Sequence, residues 1–221
     1  MKAKLIFPKE GDVCDIIGVD DALEFIAYCA RVSNPDNQMN GKTSEGLIRY
    51  LIEHKHWSPF EMLSATVEVE TTRDIARQLL RHRSFSFQEF SQRYANPTES
   101  LSFEIREARL QDTKNRQNSI EVDDPELQKA WAAKQQQIIH ECRMAYKWAI
   151  DNGIAKEQAR AVLPEGNTVS RLYVHGTIRS WIHYIELRSG NGTQKEHILL
   201  AKEIARAISR LFPMIDEFVE E

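Results

Sequence analysis

Between Ala22 and Cys29 the apolar residues Leu23, Phe25, Ile26, Tyr28 and Cys29 fall mostly on one face of a helix, which Asp20 or Asp21 is placed to cap. The turn formers Ser33-Asn34-Pro35-Asp36-Asn37 break that pattern. A second amphipathic run, Leu47, Ile48, Leu51 and Ile52, follows a cap at Thr43 or Ser44 and extends toward His54. From Met62 to Thr71 the period drops to two. Leu63, Ala65, Val67 and Val69 alternate with Ser64, Thr66, Glu68 and Glu70, the mark of a half-buried strand. Thr72 opens a third helix through Ile75, Ala76, Leu79 and Leu80 to His82, and Ser84–Tyr94 then reads as extended chain, with Phe85 and Phe87 alternating against Ser84, Ser86 and Gln88.

Residues 95–123 are polar and weakly patterned, which predicts a long surface arm. Asp124-Pro125 is a strong helix start, and Asn152-Gly153 supplies the stop. The stripe between them, Leu127, Trp131, Ile138, Cys142, Tyr146 and Ala149, suits core or subunit packing. A short helix from Ala155 ends before Pro164, and Thr168–Val174 suits a strand. Thr177 caps a helix with Ile178, Trp181, Ile182 and Ile185 inward. Thr193-Gln194-Lys195-Glu196 has the form of a capping box, and its helix should run to Pro213. Nothing alternates strand with helix as a doubly wound sheet requires. The expected fold is α+β, helix-rich, with a small antiparallel sheet, in one domain spanning 1–221.

Composition narrows the setting. Of 221 residues 42% are hydrophobic, enough for a sizeable core without staples. Cys14, Cys29 and Cys142 cannot all pair and show no CxxC spacing, which points to a reducing, cytoplasmic compartment. The apolar patch in residues 1–12 is too short for a secretion signal, and no apolar run spans a membrane. The net charge of −4 argues against non-specific nucleic-acid binding.

The chemistry concentrates in residues 73–93. Five arginines (Arg73, Arg77, Arg81, Arg83, Arg93) face two acids (Asp74, Glu89), with no lysine among them. Arginine's planar fork grips phosphate or carboxylate through paired hydrogen bonds. Gln78 and Arg81, and Arg77 and Arg81, stand three and four residues apart on one helical face. A solvated arginine face would be the ordinary explanation for one such helix, but it accounts poorly for Ser91-Gln92-Arg93 returning polar groups after an aromatic strand. His54-Lys55-His56 lacks a further ligand at metal spacing, so no metal site is expected. Arg160, Arg179, His183 and Arg188 form a later group. Arg179 and His183 share a helical face, and Arg188 points to the opposite side. No glycine-rich phosphate cradle, serine elbow or zinc-protease motif is present, and no cysteine has a histidine beside it. An enzyme built this way positions charged substrates and leaves the hard step to a cofactor.

Arg81-His82-Arg83, seven residues and then Ser91-Gln92-Arg93 resembles the signature of flavin-dependent thymidylate synthases. The upstream block with His56, Ser58 and Glu61 and the downstream ARAVLP and GTIRSWIHYIELR stretches, in this order, make the resemblance specific. It runs from Ala30 to the last helix, apart from the arm. It implies a homotetramer that holds FAD in clefts shared between subunits and methylates dUMP to dTMP, with 5,10-methylenetetrahydrofolate as carbon donor and NADPH as reductant of the flavin. Carried over by position, Ser33, His56, Ser58, Glu61, Arg81, His82, Arg83, Gln88, Glu89, Arg179 and His183 are implied flavin contacts. The implied dUMP site is Gln78, Arg81, Glu89, Ser91, Gln92, Arg93, Arg160 and Arg188. Within it Arg188, Ser91 and Arg93 stand nearest the chemistry, Arg93 reaching from a second subunit and Ser91 binding rather than attacking. A single-stranded nucleic-acid module, with arginines interleaved among Phe85, Phe87 and Phe90, is the main rival, and the net charge counts against it. A purely structural helical oligomer leaves the three blocks unexplained.

Overall fold

The structure, a computed structural model, describes residues 1–8, 18, 19 and 21–220; Cys14 and Asp20 lie outside these. Strand β1 (Lys2–Phe7) precedes helix α1 (Ala22–Ala30), whose Asp21 cap accepts from the Glu24 N–H at 2.8 Å. Helix α2 (Ser44–Glu53) begins after Thr43, and a 3-10 turn at Ser58–Glu61 delivers the chain to β2 (Ser64–Thr72). Then come α3 (Arg73–Leu79), β3 (Ser86–Glu89), the single turn α4 (Pro97–Ser100), β4 (Arg109–Gln111) and β5 (Ser119–Glu121). The last third holds α5 (Pro125–Asp151), α6 (Lys156–Ala159), β6 (Val169–Thr177), α7 (Ile178–Ser189) and α8 (Lys195–Ile208).

The main sheet has the order β1-β2-β6-β3, antiparallel throughout. The alternation in β2 sets its two faces: Ala65, Val67 and Val69 are fully buried, while Glu68 and Glu70 lie on the outer side, where Arg171 of β6 pairs with Glu70. Against the inner face Ile178, Trp181, Ile182 and Ile185 of α7 and Leu200, Ile204 and Ile208 of α8 complete one core. Each such buried side chain contributes about 1.5–3 kcal/mol of transfer free energy. Among the described residues no helix is long and apolar enough to cross a membrane.

Four expectations need correction. Strand β1 was not anticipated; its short apolar stretch is an edge strand, with Lys2 opposite Glu70 and Lys4 opposite Glu68. The 95–123 arm is not featureless. It contains the β4–β5 hairpin and a bridge from Phe103 to Thr168, and α5 pins it through two glutamines that act as backbone surrogates. Gln128 exchanges hydrogen bonds with the Ala108 N–H (2.7 Å) and C=O (2.9 Å), and Gln135 does the same with Arg106 (2.9 and 2.8 Å). The capping box does not form: Gln194 is the cap residue of α8, and Glu196 turns instead to Gln194 and Arg109. That helix also ends at Ile208, short of Pro213.

The α5 stripe divides. Its start at Asp124, which accepts from Leu127 N–H at 3.0 Å, and its stop at Gly153, whose φ of 77° suits glycine, are as expected. Tyr146 and Ala149 are buried, but Leu127, Trp131 and Ile138 are exposed, so the apolar periodicity does not mark a core face along its whole length.

Candidate active site

Helix α3 has a buried side, Ile75, Ala76 and Leu79, and a polar side that presents Arg77, Gln78 and, just beyond its end, Arg81. The chain then turns through His82 and Arg83 and is anchored by Phe85. That ring is buried 4.4 Å from the Trp181 ring, and a Cβ on Gly176 would come within 2.3 Å of it. Glycine at 176 is therefore what lets the aromatic anchor sit beneath the arginine turn.

Arg77, Gln78 and Arg81 share a cleft of about 610 Å³ with Arg188 of α7 and with Gln117, Thr193 and Gln194. Arg188 Nε donates to His82 Nε2 at 2.9 Å, so the proton of that neutral ring sits on Nδ1. Burial, then the Arg188 and Arg81 charges, pull His82 down to about 4. Burial and the Arg81 charge also lower Arg188 from its ordinary value. Neither Arg81 nor Arg188 has a carboxylate partner among the described residues.

Beneath the cleft floor lies a buried polar chain. Tyr184 meets His197 Nε2 at 3.0 Å, His197 Nδ1 meets Gln78 Oε1 at 3.2 Å, and Gln78 Nε2 donates to Gln194 Oε1 at 2.9 Å. Gln194 in turn donates to Glu196 at 2.9 Å, and Glu196 is paired with Arg109 from the arm. Burial works against the Glu196 charge, but the hydrogen bonds from Arg109 and Gln194 more than offset it and hold the carboxyl below its usual range. His197 is fully buried, and burial, with Arg188, His82 and Arg81 nearby, lowers it to about 3. Burial pushes the Tyr184 phenol up, so it keeps its proton.

A second basic groove of about 280 Å³ shares Arg77 with the cleft and adds Arg73, Gln92, Glu157, Arg160 and Glu165. Gln92 is buried, with Nε2 lacking any partner among the described residues. Arg93 stands at the lip, paired with Glu157 at 3.2 Å, and Arg77 pairs with Glu165. Glu89 accepts from Ser170 Oγ at 2.7 Å and Arg73 at 3.4 Å, not from Ser91, whose Oγ, among the described residues, takes only the Arg93 N–H at 3.4 Å.

The remaining residues lie elsewhere. Glu61 pairs with Arg179, and His183 stands edge-on to Trp57 at 4.8 Å. Ser58 begins the same 3-10 turn that ends with Glu61, and His56 stands just before it, exposed. This patch shares no lining residue with the cleft or the groove, in keeping with the opposite phases of Arg179 and Arg188 on α7. Ser33, Arg83 and Gln88 are exposed and join none of the three groups.

Sequence reasoning placed Arg73 in the arginine cluster without a role of its own and missed Tyr184, Gln194 and His197 as parts of the site. A signal for the last was present: His197, Leu200, Ala201, Ile204 and Ile208 follow the apolar spacing of α8, so the imidazole occupies a core position.

The two depressed histidines carry a pH signature. Above about pH 7 both are neutral, folded or unfolded. As pH falls through about 6.5 the unfolded chain takes up protons that the folded protein still refuses, so stability declines toward pH 4. Urea midpoints at pH 7.5 and 5 should therefore differ, with a smaller drop in His197→Asn; an equal drop in both proteins would remove His197 from this account.

A family model described as thymidylate synthase complementing protein matches residues 15–214. A Paramecium bursaria Chlorella virus 1 protein, "Probable flavin-dependent thymidylate synthase", is 52% identical over 198 residues, 90% of each chain. The Synechocystis "Flavin-dependent thymidylate synthase" is 50% identical over 187 residues, 85% of this chain and 82% of that one. A solved structure, the UMP/dUMP methylase PolB from Streptomyces cacaoi bound with 5-Br dUMP, superposes with a TM-score of 0.80 at 26% identity, covering 98% of this chain and 93% of that one. Sequence over nine-tenths of the chain and fold over nearly all of it agree, and the chain belongs to the thymidylate synthase complementing protein family, the flavin-dependent thymidylate synthases.

Proposed function

We propose that this protein methylates dUMP to dTMP, with 5,10-methylenetetrahydrofolate as carbon donor and FAD, reduced by NADPH, as reductant, and without a cysteine nucleophile. The observation that carries the reading is the meeting, at Arg77, of an arginine-lined cleft and a second basic groove. Arg81, Arg160 and Arg188 have no carboxylate partner among the described residues, and the orphaned Gln92 Nε2 adds a buried donor. That donor set fits anionic nucleotides, the diphosphate of FAD included.

Bound flavin supplies the reducing equivalents that turn the transferred carbon into a methyl group. The chain's own residues bind and orient. Arg188 presents paired N–H groups to the uracil edge and stabilises charge developing on the ring. Arg93, with Ser91 and Gln92, holds the phosphate once it exchanges its exposed partner Glu157. Glu89 is engaged by Ser170 and Arg73 and gives Ser91 no adjacent base, which supports a binding role for that hydroxyl. The Glu61, Arg179 and His183 patch, with His56 and Ser58, contributes flavin contacts from the other side of α7.

The reading includes a homotetramer, because the flavin-contact patch of Glu61, Arg179 and His183 shares no wall within one protomer with the cleft of Arg81 and Arg188. The exposed Leu127, Trp131 and Ile138 offer apolar surface for such association. A cytoplasmic setting belongs to the same proposal, supported by the free thiols of Cys29 and Cys142.

The test is direct. Purified protein should show a flavin absorbance spectrum and form dTMP from dUMP and methylenetetrahydrofolate only when NADPH is supplied. Colourless protein that instead binds oligonucleotides with steep salt dependence would replace this reading with the nucleic-acid one.

A further inference from the structure

The buried chain beneath the cleft has only one consistent proton order. Glu196, held ionised by Arg109, is an acceptor, so the Gln194 atom facing it is the amide nitrogen, and Gln194 Oε1 must face Gln78. Gln78 therefore turns its nitrogen to Gln194 and its oxygen to His197. Because that oxygen only accepts, His197 Nδ1 carries the ring proton. Nε2 of the neutral ring is then the acceptor, and the Tyr184 O–H donates to it. From Tyr184 to Glu196 every hydrogen bond points the same way.

We infer that His197, backed by Tyr184, is a positioning residue that locks the side-chain amide of Gln78, so that the cleft floor offers a donor rather than an acceptor to its ligand. Gln78 Nε2 has two protons, and one goes to Gln194; the other has no partner among the described residues. With Arg77, Arg81 and Arg188, which can only donate, this makes the arginine side of the cleft a donor surface, facing Gln117 and Thr193, which can also accept. Such a surface suits the 4-carbonyl of a uracil and disfavours a pyrimidine with an exocyclic amine at that position, because two donors then face each other there. The inference rests on the proposed dUMP site. It adds that base choice is enforced from behind the cleft, by residues that touch no ligand.

Neutrality of the imidazole helps: burial and the neighbouring Arg188 and Arg81 charges keep the proton count at one, so the order cannot reverse. Had His197 been an aliphatic residue, Gln78 Oε1 would lack its buried donor, and only the Gln194 contact would fix the amide.

The experiment compares His197→Leu, His197→Asn and Tyr184→Phe with the wild type, measuring dissociation constants for dUMP and dCMP by calorimetry on flavin-loaded protein. His197→Leu keeps the packing but loses the donor; dUMP should bind about tenfold more weakly, with the preference over dCMP cut by a similar factor. His197→Asn, whose amide nitrogen can stand where Nδ1 was, should recover most of both. Tyr184→Phe, which removes only a hydroxyl, should fall between them. Wild-type discrimination in His197→Leu, or equal losses in the leucine and asparagine variants, would overturn the inference while leaving the function intact. Wild-type protein that fails to bind dUMP would overturn the function and the inference together. Should His197→Leu fail to fold, Tyr184→Phe and His197→Asn still decide the matter, since unchanged dCMP discrimination in Tyr184→Phe also overturns it.

Discussion

Arg188→Ala is expected to lower dTMP formation by about 10²–10³-fold while leaving flavin content near that of the wild type. Arg188 lies in the cleft with Gln78 and Arg81, whereas Glu61, Arg179 and His183 form a separate patch. Among the described residues the guanidinium makes one hydrogen bond, from Nε to His82 at 2.9 Å, so its two terminal nitrogens remain available to a ligand. Lysine at 188 should recover little, because an ammonium on a flexible stem cannot reproduce the planar fork. Turnover with saturating dUMP and the flavin-to-protein ratio decide the point. If both fall in parallel, Arg188 supports the flavin rather than the base.

Trp181→Ala should be the most damaging single change to the fold, at about 3–5 kcal/mol, a large share of the total stability of a domain. Trp181 is fully buried, its Nε1 donates to the Ala65 carbonyl at 3.2 Å, and its ring supports Phe85 and Tyr184. The first of those aromatics anchors the turn carrying Arg81, His82 and Arg83; the second begins the buried chain to Gln78. The loss should therefore appear both as a lower urea midpoint and as weaker dUMP binding in the protein that remains folded. Full activity with only a lowered midpoint would uncouple the aromatic layer from the cleft.

Much of the architecture was legible where a local physical rule decides the outcome. Asp21 and Asp124 are caps because an exposed carboxylate next to free backbone N–H groups has few better partners. Strand β2 was legible because half of it faces the core and half faces outward. The rest depended on contacts that local rules do not see. Glu196 has the sequence of a capping-box partner, but Arg109, 87 residues away, competes for its carboxylate and wins. Residues 95–123 look unstructured because their order comes from Gln128 and Gln135 of α5, not from their own apolar pattern. The α5 stripe reports a face, and it cannot say whether the chain itself or another copy covers that face.

The site divides along the same line. The arginine-rich helix and the triplet after it stood out because five arginines within residues 73–93, with no lysine among them, have few structural uses. The histidine and tyrosine beneath them did not, since a polar residue at an apolar position looks the same in sequence whether it is idle or linked into a network. Arg73, too, could not be told from its neighbours before Glu89 was seen to face it.

The order of the sheet bears on how the chain acquires its shape. Strand β2 is flanked by β1 and β6, and its contacts with β6 join residues such as Glu70 and Arg171, 101 positions apart. Few of the stabilising pairings are local, so folding should be slow for a chain of this size and should wait on its last third. On the ribosome, α3 with its arginines emerges long before the strand and helix that complete its surroundings. The two halves of the cleft are therefore assembled by the same late event that closes the sheet, and no nascent fragment ending before β6 can present the complete cleft.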